Sequence, residues 1–281
     1  MRLSFKSFKF VRLLTLSLGL MASATAFADP YRILISNDDG INSPLIHALH
    51  DGLATLDDVE IVVSAPDANK SGSSQSTDGG ARTVERIFAN GEFFGYAVDG
   101  RPADAVRFGL LHLGKDEPFD LVVSGINQGA NVGDVSHLSG TVGAAMEAIY
   151  QGVPAIAVSQ DTANVDTSVT VNLTRQLVAK YQREGAPEGI VISINVPRGE
   201  LKGIAIRPMG ESYLKFSPYE LTRIDGEVSE FEASYVGNRA LNSMSDTYAY
   251  QNGYATITPL KFDWTAHEML SEIETWGLAI D

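Results

Sequence analysis

Five stretches of the chain are apolar without alternation, and they set the first expectation for the fold. Tyr31 to Ser36 (YRILIS), Glu60 to Ala65 (EIVVSA), Asp120 to Ser124 (DLVVS), Ala155 to Ser159 (AIAVS) and Ile190 to Asn195 (IVISIN) are short Val/Ile-rich runs. A strand wet on one face alternates apolar and polar side chains. A run apolar at both parities belongs to a strand covered on both faces. Between the runs the spacing becomes helical. Pro44 opens a segment carrying Leu45, Ile46, Leu49 and Leu53, and others run from Pro102 to about Leu113, Gly140 to about Gln151 and Ser168 to about Glu184. Strands alternating with helices predict an α/β fold, a doubly wound, mostly parallel sheet.

Two regions depart from that pattern. Arg82 to Val98 reads as a hairpin turning at Asn90-Gly91. Gly203 to Leu260 carries scattered short strands and polar turns, which predict a β-rich C-terminal extension beyond the sheet. A last helix is expected from Thr265 to about Trp276. The small, polar stretch Ser71 to Gly80 (SGSSQSTDGG) reads as a functional loop.

The N-terminus follows a different logic. Arg2, Lys6, Lys9 and Arg12 precede an apolar run from Val11 to about Ala24, and Ala26-Phe27-Ala28 places small residues where a signal peptidase reads. This order predicts a cleaved secretory signal over residues 1–28 and a periplasmic or secreted protein. The alternative is a membrane anchor, for which the run falls short of the roughly 20 residues a span needs. The remainder, 29–281, reads as one unit, with its core over about 29–200 and the extension over about 201–281. No membrane association is expected of it.

Composition narrows the chemistry. The chain is 44% hydrophobic and 20% charged, enough for a sizeable core. It has no cysteine, so an exported fold must hold without disulfides, and thiol nucleophiles and thiolate metal sites are excluded. Removing residues 1–28 takes away four basic residues and no acid, carrying the formal charge from -14 to -18. That balance argues against a nucleic acid polymer as partner. A small anion needs local positive charge instead, from a cation or a helix N-terminus.

In a parallel sheet, ligands bind beyond the carboxyl ends of the strands. The first expected strand is followed by Asn37-Asp38-Asp39-Gly40, the second by Ala65-Pro66-Asp67 and Asn69-Lys70-Ser71-Gly72. The third is followed by Asn127, Gly129, Asn131, Gly133 and Asp134. Adjacent carboxylates such as Asp38 and Asp39 remain ionised together only beside a cation, although Asp-Gly is also an ordinary turn dipeptide. Hard oxygen donors point to Mg²⁺, Mn²⁺ or Ca²⁺. Ser139-Gly140-Thr141 opens a helix whose N-terminus suits a phosphate, or is simply capped by Ser139. His137, in the same loop, is a candidate for touching substrate. Lys70 and Arg101 are candidate cations for a phosphate, and His47 and His50 lack any metal-site frame. Neither a Walker phosphate loop nor a G-x-S-x-G elbow is present.

The spaced motifs ILISNDDG, SAPD-x-x-x-SG, DLVVSGIN-x-G-x-N-x-GD, SGTV-x-AAMEA and VPAIAVS resemble the survival protein SurE family of nucleotidases, from Arg32 to about Ser159. Weaker matches follow at Ile194 to Pro197, Asp246-Thr247 and Ile257 to Leu260. The resemblance implies a Rossmann-like core, a dimerising C-terminal extension giving a homodimer or homotetramer, and hydrolysis of nucleoside 5′- and 3′-monophosphates with one divalent cation per subunit. By position it implies Asp38, Asp39, Ser71 and Asn127 as metal ligands, with Asn131 and Ser139 to Thr141 around the phosphate. Asp38 and Asp39 are the expected catalytic groups, and Asn37 and His137 are further candidate substrate contacts. The chain departs from the family pattern at Ser43-Pro44-Leu45, at Arg101 before Pro102, and at Leu138 before Ser139, positions that bear on substrate preference. Water attack is expected, with an aspartyl-phosphate route through Asp38 as the alternative. An exported small-anion binding protein without catalysis is the competing function.

Overall fold

The computed structural model describes residues 29–280, so the expected signal at 1–28 lies outside the described residues. The first strands and helices follow the sequence pattern: β1 (Tyr31–Ser36), α1 (Pro44–Leu53), β2 (Val59–Pro66), β3 (Val84–Ala89) and β4 (Glu92–Val98). Then come α2 (Pro102–Phe108), β5 (Leu121–Gln128), α3 (Gly140–Tyr150), β6 (Ala155–Gln160), α4 (Thr167–Glu184) and β7 (Ile190–Val196). The hairpin turn is where it was expected, with φ of 52° at Asn90 and 85° at Gly91, a geometry that favours Asn-Gly.

The strands form a nine-stranded sheet in the order β3-β4-β2-β1-β5-β6-β7, completed by β13 (Ala255–Lys261) and β8 (Ile204–Ile206). The six strands from β4 to β7 are parallel. The unbroken Val/Ile runs follow from layers on both faces. Ile33 and Ile35 pack with Leu49, Leu53 and Val178 of α1 and α4, whereas Leu34 packs the other way with Val106 and Ala145 of α2 and α3. All three β1 side chains are fully buried. Truncating one to alanine is worth about 2–5 kcal/mol.

β1 lies between β2 and β5, and the later strands run outward from each in opposite directions. That reversal opens a crevice at the carboxyl ends of β1 and β5.

The C-terminal part differs from expectation in three places. β13 and β8 lie in the stretch read as an extension, yet they join the main sheet, β13 antiparallel to β7. Buried Thr256 and Thr258 interrupt the apolar pattern that would have marked β13. A short helix, α5 (Asp246–Gln251), occupies a segment with few helical signals and is capped by Ser245, which accepts from the Tyr248 N–H. The expected last helix is confined to one 3-10 turn and α6 (Leu270–Glu274). Its Leu270, Ile273 and Trp276 are at least 40% exposed, so no packed face supports a longer helix.

The remaining strands form an arm. β9 (Leu214–Phe216) pairs with β12 (Tyr235–Gly237), and β10 (Glu220–Asp225) forms a hairpin with β11 (Val228–Glu232). Among the described residues no helix is long and apolar enough to cross a membrane.

Candidate active site

Three loops meet at the crevice, and each is held there by its backbone. After β1, the Asn37 amide closes its own turn, donating to the Gly40 carbonyl at 2.9 Å and accepting from the Gly40 N–H at 3.1 Å. Asn37 is fully buried. The next residue, Asp38, is thereby aimed across the end of the sheet. The second loop is fastened to the first by the Lys70 N–H, which donates to the Asp38 carbonyl at 2.8 Å. The third comes from β5, where the register against β6 shifts between Ser124 and Asn127. Such a bulge turns a side chain away from the regular ladder.

The three loops bring Asp38, Ser71 and Asn127 to one cleft, together with Asn131 and Ser139. Asn127 donates its Nδ2–H to the Gly129 carbonyl at 2.6 Å, and its Oδ1 takes no hydrogen bond from the described residues. Asp39 is not among the lining residues. It braces the rim, accepting from Asn69 Nδ2 at 3.3 Å and from the Gln128 N–H at 3.0 Å.

Asp38 is only 3% exposed. Burial, with Asp39's charge adding to it, pushes its carboxyl up to about 6 despite hydrogen bonds from Thr141. Burial likewise raises Asp39 above the ordinary carboxylate range, against the hydrogen bond from Gln128. Neither carboxylate has an ion-pair partner among the described residues. Lys70 turns its ammonium to Asp67 at 3.3 Å, and Arg101 is taken up by Asp78 at 2.8 Å. Two desolvated acids side by side, with amide and hydroxyl oxygens opposite, form a donor set suited to a hard divalent cation. Among the described residues no cluster of three or more His, Cys, Asp or Glu offers another metal site.

The start of α3 is packed against Asp38. A Cβ on Gly140 would stand 2.8 Å from the Asp38 Cβ, and one on Gly143 would stand 2.0 Å from the Ser74 carbonyl oxygen. Glycine at both positions lets the helix end, the Asp38 side chain and the Ser71–Gly80 loop share one corner. Thr141 Oγ1 donates to Asp38 Oδ1 at 2.5 Å, and its N–H also serves that carboxylate. Ser139 caps the helix, accepting from the Val142 N–H at 3.1 Å. The positive end of α3 thus stabilises a buried carboxylate first. The Gly140 N–H and the Ser139 hydroxyl proton are what remain to meet an anion.

Asn131 is set in a polar mesh. Its N–H donates to Asn195 Oδ1 at 2.7 Å and its side chain to Ser159 Oγ at 2.9 Å. His137 is exposed and lies away from Asp38, edge-on to Trp264 with ring centroids 5.6 Å apart. There it borders a more apolar cavity lined by Val142, Met146, Met209, Leu260 and Trp264, which contains no carboxylate.

Sequence reading gave no sign of the wall opposite the oxygen donors. Tyr213, Leu214 and Tyr235 line it, brought in by the arm. Nothing local marks these residues. The one available signal was Asp246, whose carboxylate accepts from the Gly133 N–H at 2.9 Å and the Gly210 N–H at 2.8 Å, tying the arm's root to the site loop.

A family model described as "Survival protein SurE" matches residues 33–215. A protein of Chlorobaculum tepidum named 5′-nucleotidase SurE is 37% identical over 251 residues, covering 88% of this chain and 94% of that one. Its namesake in Vibrio parahaemolyticus is 36% identical over 252 residues, covering 88% and 95%. The crystal structure of the SurE protein of Aquifex aeolicus superposes with a TM-score of 0.73 at 31% identity. It covers 87% of this chain and 99% of its own.

Proposed function

The chain belongs to the survival protein SurE family, and from that premise we propose that it is a divalent-metal-dependent phosphomonoesterase of nucleoside 5′- and 3′-monophosphates. The relatives named above are 5′-nucleotidases by name. One observation carries the reading: Asp38, Ser71 and Asn127, from three separate loops, line one cleft in which neither Asp38 nor its neighbour Asp39 has a cationic partner.

In this reading Asp38, Asp39, Ser71 and Asn127 hold one cation, Mg²⁺ or Mn²⁺ by preference and Ca²⁺ as a further candidate. Such an ion supplies Lewis-acid polarisation of the phosphoryl group and a lower pKa for the attacking water. The protein's own groups do the rest. Thr141 fixes the Asp38 carboxylate in one orientation. Asp38 or Asp39 accepts the proton of the attacking water. The Ser139 hydroxyl, the Gly140 N–H and the second amide proton of Asn131 donate to the phosphoryl oxygens, where charge grows during displacement. Thr141, the hydroxyl bonded to Asp38, is fully buried and already committed to orienting that carboxylate, so water attack is favoured over a covalent intermediate. A single nine-stranded sheet, rather than two matching lobes, gives no support to the anion-binding alternative.

The proposal extends to assembly and location. Leu221, Ile224, Val228 and Phe231 on the β10–β11 hairpin are each at least half exposed. An isolated hairpin is marginal in water, so a homodimer or homotetramer is the state in which this surface is covered. The basic and apolar N-terminus directs export, and the processed chain would begin at Asp29.

The test is direct. The mature chain is stripped with a chelator, and phosphate release from nucleoside monophosphates is measured with Mg²⁺, Mn²⁺ or Ca²⁺ returned. Release that disappears on stripping and returns with one of the ions is expected. Unchanged release in the stripped protein would sink the metal-dependent reading, and trapping of an aspartyl phosphate would overturn water attack.

A further inference from the structure

The oxygen-lined end of the cleft accounts for a phosphate, and it leaves open what the opposite wall does. We propose that this wall, and the groove that continues from it along β9 and β12, receives the base of the nucleotide, with Tyr235 and Tyr213 as the residues that favour a nucleotide over a phosphate ester without a base. The inference rests on the phosphomonoesterase reading above and deepens it.

Three observations converge. First, the cleft does not stop at Tyr235. A second hollow shares Val135, Leu138, Leu214 and Tyr235 with it and runs on to Phe216. The two form one path whose chemistry changes along its length. Oxygen donors lie at the Asp38 end, and at the other Phe216, Tyr235 and aliphatic groups stand beside His137, Ser212 and Asp134, the order of phosphate and base in a nucleoside monophosphate.

Second, the aromatic groups are paired. The Phe216 and Tyr235 rings lie 4.5 Å apart and face each other across the β9–β12 register. Tyr235 is nevertheless 59% exposed, so most of it remains available to a flat ligand. Base-on-aromatic stacking tolerates any base and needs only such a surface.

Third, Tyr213 is held in place. Its ring packs on Tyr250 with centroids 5.9 Å apart, and the Tyr250 hydroxyl donates to Asp161 Oδ2 at 2.9 Å. Arg198 grips the same carboxylate at 2.9 and 2.7 Å. Burial and the Asp161 charge both raise the Tyr250 phenol, so the hydroxyl stays a donor. A ring held in this way suits recognition, because a preorganised surface loses little entropy on binding. The acid in the outer hollow, Asp134, is already engaged by the Ser212 N–H at 2.8 Å.

The experiment compares adenosine 5′-monophosphate with ribose 5-phosphate, which keeps the phosphate and sugar and lacks the base. Wild type, Tyr235→Ala and Tyr235→Phe are assayed with the cation present, alongside sizing of each assembly. Wild type is expected to favour the nucleotide. Tyr235→Ala should lose about tenfold in kcat/KM for it, through KM, with ribose 5-phosphate unchanged and Tyr235→Phe close to wild type. Tyr213→Leu should show the same selective loss to a smaller degree. Equal losses on both substrates, a loss that tracks a smaller assembly, or a wild type indifferent to the base would overturn the inference while leaving phosphomonoester hydrolysis standing. Turnover of neither substrate by wild type would remove the parent reading itself.

Discussion

β5 buries seven of its eight residues, whereas β10 and β11 together bury none of their eleven. Both regions are β-structure carrying four large apolar side chains each, and they use them oppositely. In the core, Val122 and Val123 are enclosed by layers on both faces, and the energy of that burial fixes where Asn127 emerges. In the arm, Leu221 and Phe231 face each other across the hairpin and stay at the surface. The proposed cation site would need the first environment, and the proposed subunit contact would be built from the second.

The comparison can be broken most severely at the cleft. Asp38→Ala should lower turnover of nucleoside monophosphates by at least about a thousandfold, while circular dichroism and the unfolding transition stay close to wild type. Loss of activity accompanied by loss of the fold would mean that Asp38 acts only as the brace of α3.

A smaller effect tests the core away from the chemistry. Glu147 is 1% exposed and accepts from Arg107 at 2.8 and 3.1 Å and from Gln151 at 2.8 Å. The Arg107 side chain is 39% exposed. Arg107→Ala strands a buried carboxylate and should cost about 3 kcal/mol by denaturant unfolding. Glu147→Ala leaves a cation that water can reach and should cost less, about 1–2 kcal/mol. The reverse order would mean that packing, not charge, dominates between α2 and α3.

The arm should respond in the opposite manner. Leu221→Glu combined with Phe231→Lys keeps an attractive cross-strand pair and removes apolar surface. It should shift stability by no more than about 0.5 kcal/mol per site and lower the mass measured by light scattering. An unchanged mass would place the subunit contact elsewhere.

The smallest effect is one of pH. Burial raises Asp161, but hydrogen bonds from Arg198, Tyr250 and the Thr162 N–H outweigh it and hold the carboxyl below its ordinary 3.8. Its contribution is therefore fully present above that value and is lost as pH falls through the lower folded value. Asp161→Asn should lower stability near neutrality and flatten its decline below about pH 4. A parallel decline in both proteins would show the pair to be uncoupled from folding.

Much of the core was legible because parallel strands write their burial into adjacent residues. YRILIS and AIAVS need no context, and the polar residues directly after β1, β2 and β5 could be placed at one edge from topology alone. That edge is rich in oxygen-bearing residues, and it is the family resemblance that singles out those at 38, 71 and 127. What stayed hidden depends on contacts remote in sequence. Tyr213 and Tyr235 reach the cleft from the arm, β13 is masked by its buried threonines, and the engagement of Thr141 by Asp38 has no local signature. His137, chosen for its place in a glycine-rich loop, does not line the cleft at Asp38; it stands edge-on to Trp264 and borders the outer hollow beside Phe216 and Tyr235.

The two N–H groups gathered by Asp246 join Gly133, at the mouth of the cleft, to Gly210, where the chain departs toward the arm. The projecting hairpin therefore begins beyond a fixed knot. Because Leu214 and Tyr235, at its base, line the cleft, only the β10–β11 tip beyond them is free to lengthen, shrink or be exchanged in descendants of this sequence while the entrance for small molecules keeps its shape.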